Sequence, residues 1–280
     1  MSVSAPLRLR PLEIGDLLDE TFRMYRRHFV LFAGISAILS IPSAALFALL
    51  LGSFSSVLQQ SNGAVTDFSF LAPLLAAFAA GLVVSIVILP FTMGAVMYAA
   101  CESALGRPVT AGGVFFGVMR RYFPLLGYWG LFLFSLYVAL ALCILPVILW
   151  IWIFVSWIAV TPAMFVENIG LGAAMGRSWR LVEGRWWRTF LILFLMVILW
   201  WVVQIALGAF LQLGQLLLQL FVSPFLAAAI AAASGQIVGA VVNPILQIAI
   251  VLIYFDLRVR KEGMDLFQMA HRLSAPPATS

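Results

Sequence analysis

Four long runs without a single charged side chain, 29 to 52, 69 to 101, 122 to 166 and 189 to 255, constrain this chain more than any motif it carries. A helix needs about 20 residues at 1.5 Å each to cross a hydrocarbon core of about 30 Å, and its backbone groups must be satisfied internally there. Divided where Pro, Gly and polar residues gather, the runs predict six spans: 29 to 52, 72 to 101 with Pro90 inside, 123 to 143, 148 to 166, 189 to 219 and 230 to 255. Turns are expected near Ile144 to Val147 around Pro146, and near Ser223 and Pro224. The last two spans are longer than a bilayer requires, and tilt or extra turns outside the membrane would absorb the surplus. Hydrophobic residues make up 64% of the chain and charged ones 10%. A soluble domain carries about 25% charged residues, so a water-soluble fold is excluded.

The basic residues set the orientation, because Lys and Arg near span ends stay in the cytoplasm. All 16 fall at the N-terminus, in 105 to 121 and 168 to 188, or after Leu257, and none falls in 53 to 68, 144 to 147 or 220 to 229. An even number of spans with both termini inside is the one topology that puts them all on one side. The net charge of +5 then reports cytoplasmic loops facing anionic lipid, each cation contributing about 1 kcal/mol. Glu13, Asp16, Asp19 and Glu20 stand where a cleavable signal would begin its apolar core, so no such signal is expected. Cys101 and Cys143 fall at opposite ends of their spans, which argues against a disulfide between them.

The stretches before the spans repeat one arrangement. In LEIGDLLDETFRMYRRHF, 12 to 29, Ile14, Leu17, Leu18, Thr21, Met24 and Tyr25 share a helical face, and Asp16, Asp19, Glu20, Arg23, Arg26 and Arg27 occupy the other. Asp19 and Arg23 stand in the favourable i,i+4 order. Such a helix is expected to lie in the membrane interface. TAGGVFFGVMRRYF, 110 to 123, repeats the pattern, with Thr110 as a cap, Val114, Phe115 and Val118 on one face, and Arg120 and Arg121 before a span. GLGAAMGRSWRLVEGRWWRTF, 170 to 190, repeats it with Leu171, Ala174, Met175, Ser178 and Val182 on the apolar face, then Arg185 and Arg188 around Trp186 and Trp187. The stretch RSWRLVEGRWWRTF within it would also suit single-stranded nucleic acid, where cations meet phosphates and rings stack on bases. Its place before a span makes it a membrane-entry device, the rings marking the aromatic belt, and no nucleic-acid partner is expected.

Even-numbered spans also end alike, on the carboxylates Glu102, Glu167 and Asp256. These features divide a single membrane domain, 1 to 273, into three units of leading helix plus hairpin, about 12 to 102, 110 to 167 and 170 to 256, followed by a disordered tail SAPPATS, 274 to 280. Duplication of one unit predicts a pseudo-threefold arrangement. Two roles are open to the carboxylates. Pairing with nearby arginines at the water interface would contribute about 0 to 1 kcal/mol. A shared cationic-ligand or proton site would bring them within about 6 Å, where they would raise one another's pKa values.

RPLEIGDLLDETFRMYRRHF (10 to 29), MGRSWRLVEGRWWR (175 to 188) and YFDLRVRKEGMDLFQMAHRL (254 to 273) resemble the membrane domain family named after glycerophosphoryl diester phosphodiesterase. The resemblance extends over nearly the whole chain and rests on no chemically specific motif. It implies the stand-alone membrane part, since the soluble barrel, its His-Gly-Arg-Gly type signature and its metal-binding carboxylates have no counterpart in the sequence. The two histidines, His28 and His271, have no nucleophile placed beside them and read as solvated or headgroup-level side chains.

Ionisable residues are absent from the span interiors, which weakens an ion-coupled pump reading. Amides remain. Gln204, Gln212, Gln215 and Gln219 fall in an arc of about 80° on span five, and Gln236, Asn243 and Gln247 in about 40° on span six if its helix continues past Pro244. They would either hydrogen-bond across the helix pair, at about 0.6 to 2 kcal/mol each, or line a polar cleft for a lipid headgroup or small solute. Ala231, Gly235 and Gly239, spaced by four, would let a neighbouring helix approach, and the prolines 42, 90, 146, 162, 224 and 244 would kink helices or free carbonyls for a ligand.

The sequence therefore predicts an all-α, six-span protein of a bacterial cytoplasmic membrane, with three interfacial helices and a short cytoplasmic helix near 264 to 273. The expected function is non-enzymatic, with no cofactor and no metal: engagement of anionic phospholipid through Arg23, Arg26, Arg27, Arg120, Arg121, Arg185 and Arg188, organising lipid or a partner protein. A homo-oligomer stays open. The alternative is a transporter or permeation path between spans five and six. An intramembrane enzyme lacks a visible cluster of buried acid, base or metal ligands.

Overall fold

The computed structural model describes residues 12–38, 40, 41, 45, 75, 76, 79, 81, 83–142 and 144–263. Among them there is no strand, and ten helices follow one another: α1 Ile14–Arg27, α2 Phe29–Ile38, α3 Leu89–Ala104, α4 Ala111–Met119, α5 Tyr122–Ala141, α6 Ile144–Ser156, α7 Val160–Val166, α8 Leu171–Val182, α9 Trp186–Leu218 and α10 Pro224–Glu262. A π-helical turn, Val84–Ile88, leads into α3. Five stretches are long and apolar enough to cross a membrane: Ile86–Ala104, Tyr122–Ala141, Val147–Val166, Trp186–Leu218 and Ala229–Glu262. Most of the expected first span, part of the second, the helix near 264 to 273 and the tail lie outside the described residues.

Local chemistry sets the helix ends. Thr110 caps α4 as its spacing predicts, accepting a hydrogen bond from the Gly113 N–H. Ser223 caps α10, accepting from the Leu226 N–H, with Pro224 at the start, where its missing N–H costs nothing. Gly263 ends α10 in a left-handed conformation. The first hairpin turn differs from expectation: α5 ends at Ala141 and α6 begins at Ile144, so Pro146 sits in the first turn of α6 rather than in the bend. The expected fourth span, 148 to 166, is not one helix. It breaks at Trp157 to Ala159, because Pro162 cannot supply the N–H that would bond the carbonyl four residues back, at Ile158. Pro244, by contrast, is absorbed within α10.

α3, α7 and α10 pack pairwise against one another and form the centre of the molecule. Small residues make this approach close, with Ala95, Ala99 and Ala100 on α3 and Ala159 and Ala163 at α7 all buried. Between Ile245 and Leu257, every residue of α10 except Leu246 is buried. Each of these three helices also carries one leading helix: α4 folds back on α3, α8 folds back on α7, and α1 lies on α10. The arrangement is cyclic, since α4 and α8 each rest on the helix that precedes them in the chain, and α1 rests on the last helix. Gly117 lets α4 reach α3, because a Cβ there would stand 2.4 Å from the Tyr98 ring.

α1 lies lengthwise on α10, which differs from a helix lying free in the interface. The Leu12 N–H meets Asp256, and at the other end of α1 the Tyr25 hydroxyl donates to the Val241 carbonyl at 2.5 Å. Fifteen residues of α10 separate these points, about 22 Å. The apolar face of α1 is therefore covered by protein: Leu17, Thr21, Met24 and Tyr25 are buried, with Ile14 and Leu18 packed beside them. On α8, Ala174, Ser178, Leu181 and Val182 are buried. On α4, Val114 and Val118 are buried while Phe115 stays outside, edge-on to Phe91.

Burial is uneven along the bundle. α9 and α10 are about 50 Å and 58 Å long, and the buried residues of α9 are Thr189, Ile192, Leu193 and Met196, all in its first turns. Beyond them Phe210, Leu213, Leu216 and Leu217 are exposed, an apolar surface that requires a non-aqueous surrounding.

Candidate functional site at the charged end of the bundle

The C-terminal third of α10 carries polar side chains on two opposite faces. Tyr254, Arg258 and Glu262 are spaced by four, while Asp256 and Arg260 project about 200° away. On the first face the Glu167 carboxylate, at the end of α7, accepts two hydrogen bonds at 2.9 Å from Arg177 Nε and one at 2.9 Å from the Tyr254 hydroxyl. Arg177 also pairs with Glu262, and Arg258 joins Glu262 at 3.1 Å and Glu167 at 3.7 Å. Burial pulls the Arg177 guanidinium down, but its hydrogen bonds to Glu167 and Glu262 prevail and leave its pKa above the usual value. Two carboxylates and two guanidiniums balance, so the cluster is closed.

On the second face Asp256 is 2% exposed and accepts from the Leu12 N–H at 2.9 Å, Arg188 Nη1 at 2.5 Å and Arg260 Nε at 3.0 Å. Arg188 Nη2 and Arg260 Nη2 each donate to the Leu12 carbonyl at 2.6 Å. Leu12 is thus held by both its backbone groups. Glu102 pairs with the exposed Arg107 at 3.2 Å. The three carboxylates do not form one site. Glu167 and Asp256 serve opposite faces of α10; Glu102 and Asp256 bind the segments leading into α4 and α1, while Glu167 binds Arg177 within α8.

The seven cations singled out in the sequence divide into two groups. Arg23 pairs with Glu20 at 3.2 Å rather than with Asp19. Arg121 donates to the Ile169 carbonyl at 3.0 Å and to the Asn168 side chain, whose residue adopts φ 56°, a left-handed conformation that Asn tolerates. Arg188 is committed to Asp256 and Leu12. The side chains of Arg26, Arg27, Arg120 and Arg185 have no hydrogen bond or ion pair among the described residues. Exposed apolar side chains flank each of their stations: Phe29 and Val30 beside the first pair, Phe116 and Phe123 beside Arg120, and Trp187, 77% exposed, beside Arg185.

Sequence reasoning placed Ser178 on an apolar face and missed its role. Its hydroxyl donates to the Ser156 carbonyl at 2.8 Å and accepts from the Ala159 N–H at 3.1 Å, so it closes the break between α6 and α7. The Tyr128 hydroxyl donates to the Trp157 carbonyl at the same break. A serine among otherwise apolar residues, facing a proline-broken span, was the available signal. Tyr25 and His28 stand at the other end of α1. Burial pushes the Tyr25 hydroxyl up to about 12, and burial followed by neighbouring Arg27 lowers the His28 imidazole.

Along the α9–α10 seam, Asn243 Oδ1 accepts from Trp200 Nε1 at 3.1 Å and Gln204 Nε2 at 3.5 Å, and Gln215 donates to the Ser234 hydroxyl at 2.9 Å. Gln212 and Gln219 face outward, Gln236 is half-buried and Gln247 is buried. Gly235 meets nothing within 4 Å of where a Cβ would stand, so the small-residue stripe is not covered there. Among the described residues no three His, Cys, Asp or Glu side chains stand together as metal ligands, and Cys101 is a buried free thiol. No family model matches the chain, and no curated protein or solved structure is similar to it.

Proposed function

We propose that this chain is a non-enzymatic module of a bacterial cytoplasmic membrane that holds anionic phospholipid through arginines its fold leaves free, and through it organises lipid or a partner protein. The observation that carries the reading is the division of the cations. Arginines needed by the fold are matched to carboxylates or carbonyls, while the Arg26, Arg27, Arg120 and Arg185 side chains have no partner among the described residues and are flanked by exposed apolar side chains. A guanidinium beside a ring at the edge of an apolar surface suits a phosphate above acyl chains.

Six spans with both termini inside fit the same geometry. Leu12 touches Arg260, Arg121 touches Ile169, and Lys261 donates to the Arg180 carbonyl, so the starts of α1, α5 and α8 meet the end of α10, while Arg26 and Arg27 stand beside Tyr25 at the far end of α1. The cyclic placement of α1, α4 and α8 supports three related units. The family resemblance would then be to the membrane part alone. Direct pairing of Asn243 and Gln215 across the α9–α10 seam speaks against an open permeation path there.

Native mass spectrometry of protein stripped of lipid and then offered equal amounts of phosphatidylglycerol and phosphatidylcholine tests the proposal. Preferential, salt-sensitive retention of phosphatidylglycerol is expected. Equal retention of the two would overturn it.

A further inference from the structure

Gln247 is the one side chain among the described residues with a sealed polar atom and no partner. It is 3% exposed, and its Oε1 is shut off from the surface without a hydrogen bond. Leaving such an acceptor unmatched forfeits its hydration without return, and leucine would fill about the same volume without that cost. Its neighbours on the helix, Ile248, Ala249 and Val251, are all buried and apolar, so packing does not call for an amide here.

The surroundings identify what would match it. Asn243 stands one turn away and about 40° round the helix from Gln247. Trp200 lies opposite Asn243 and Arg188 opposite Asp256, so α9 runs antiparallel to α10 and brings the buried Met196 to the level of Gln247. The Oδ1 of Asn243 is occupied by Trp200 and Gln204, but its Nδ2 has no partner among the described residues, nor has the Oε1 of Gln204. With both ends of the Gln247 amide, the seam offers two acceptors and two donors. Gln204 and Asn243 are half-buried, while Gln247 is buried one turn further along α10. Between Arg188 and Asp256 neither helix contributes a charge.

We propose that the α9–α10 seam at Gln204, Asn243 and Gln247 binds an uncharged ligand through a pair of neighbouring hydroxyl groups. A hydroxyl both donates and accepts, so two of them match the four free amide groups. An ammonium would leave the amide donors unmet and a phosphate would leave the acceptors unmet. The same chemistry occurs in a free polyol and in the glycerol end of a neutral lipid. This site is independent of the cationic stations and does not rest on the phospholipid reading.

Thermal unfolding of the full chain in detergent, titrated with monoolein, methyl oleate or glycerol, tests the proposal. Monoolein carries two adjacent hydroxyls, methyl oleate the same acyl chain with none, and glycerol the hydroxyls alone. Monoolein is expected to raise the Tm saturably while methyl oleate does not. A matching glycerol response assigns a free polyol, and its absence assigns the lipid. Gln247→Leu should fold at least as stably as wild type and weaken the monoolein response about tenfold, the loss of one hydrogen bond. Equal responses to monoolein and methyl oleate, or an unchanged response in Gln247→Leu, would overturn the site. Adduct counting by native mass spectrometry gives the same comparison without relying on stability.

Discussion

The backbone N–H of Leu12 donates to Asp256 Oδ1 at 2.9 Å, joining residues 244 positions apart. It closes a ring. α4 and α8 are tied to the spans beneath them by short covalent linkers, but α1 has no such linker to α10. Asp256, with Arg188 and Arg260, takes the linker's place, which accounts for its being the most deeply buried of the three carboxylates.

Removing that carboxylate should therefore be costly. Asp256→Asn leaves two guanidiniums gathered around a neutral amide and is expected to destabilise the fold by about 3 kcal/mol. Glu102→Gln, whose partner Arg107 is exposed, is expected to cost at most about 1 kcal/mol. Unfolding of the two variants side by side in detergent gives the comparison, and equal losses would refute the ring closure.

Ser178→Ala should destabilise by about 1 to 3 kcal/mol, because it leaves the Ser156 carbonyl and the Ala159 N–H unmatched at a buried helix break. Hydrogen exchange at residues 156 to 160 should accelerate in this variant. Unchanged protection there would mean that the break is held by other groups.

Tyr25 makes stability depend on alkaline pH. Its folded pKa is raised from 10.0 to about 12, so the protonated hydroxyl stabilises the fold fully below pH 10, and this contribution is lost as pH rises through 12. The Tm difference between wild type and Tyr25→Phe should be constant below pH 10 and shrink between 10 and 12. A difference that does not change with pH would show that burial does not raise the Tyr25 hydroxyl.

Single cysteines introduced at Arg107 and Lys261, both exposed, should react with an impermeant maleimide from one side of sealed vesicles, and a cysteine at Gln219 from the other. Labelling of all three from the same side would rule out the proposed topology.

Much of this was legible in the sequence because it is local. Apolar runs give the spans, and three- and four-residue spacing gives the buried faces of α1 and α8. Thr110 announces its own cap. What could not be read depends on distant partners. Arg185 and Arg188 sit in the same stretch with the same aromatic neighbours, yet Arg188 meets Asp256, 68 residues away, while the Arg185 side chain meets no partner among the described residues. The placement of α1 along α10 depends on residues from opposite ends of the chain. Pro162 did signal the broken span, but a proline in a long apolar helix can equally be absorbed, as Pro244 is in α10.

Separating lipid binding from folding tests the account most directly. Copurifying lipid and Tm should be measured together for a variant carrying Arg26→Gln, Arg27→Gln, Arg120→Gln and Arg185→Gln, and for Arg188→Gln alone. The fourfold variant is expected to lose most of its anionic lipid at a nearly unchanged Tm, and Arg188→Gln to keep the lipid while its Tm falls. Retained lipid in the fourfold variant, or lost lipid at an unchanged Tm in Arg188→Gln, would contradict the division of roles on which the proposed function stands.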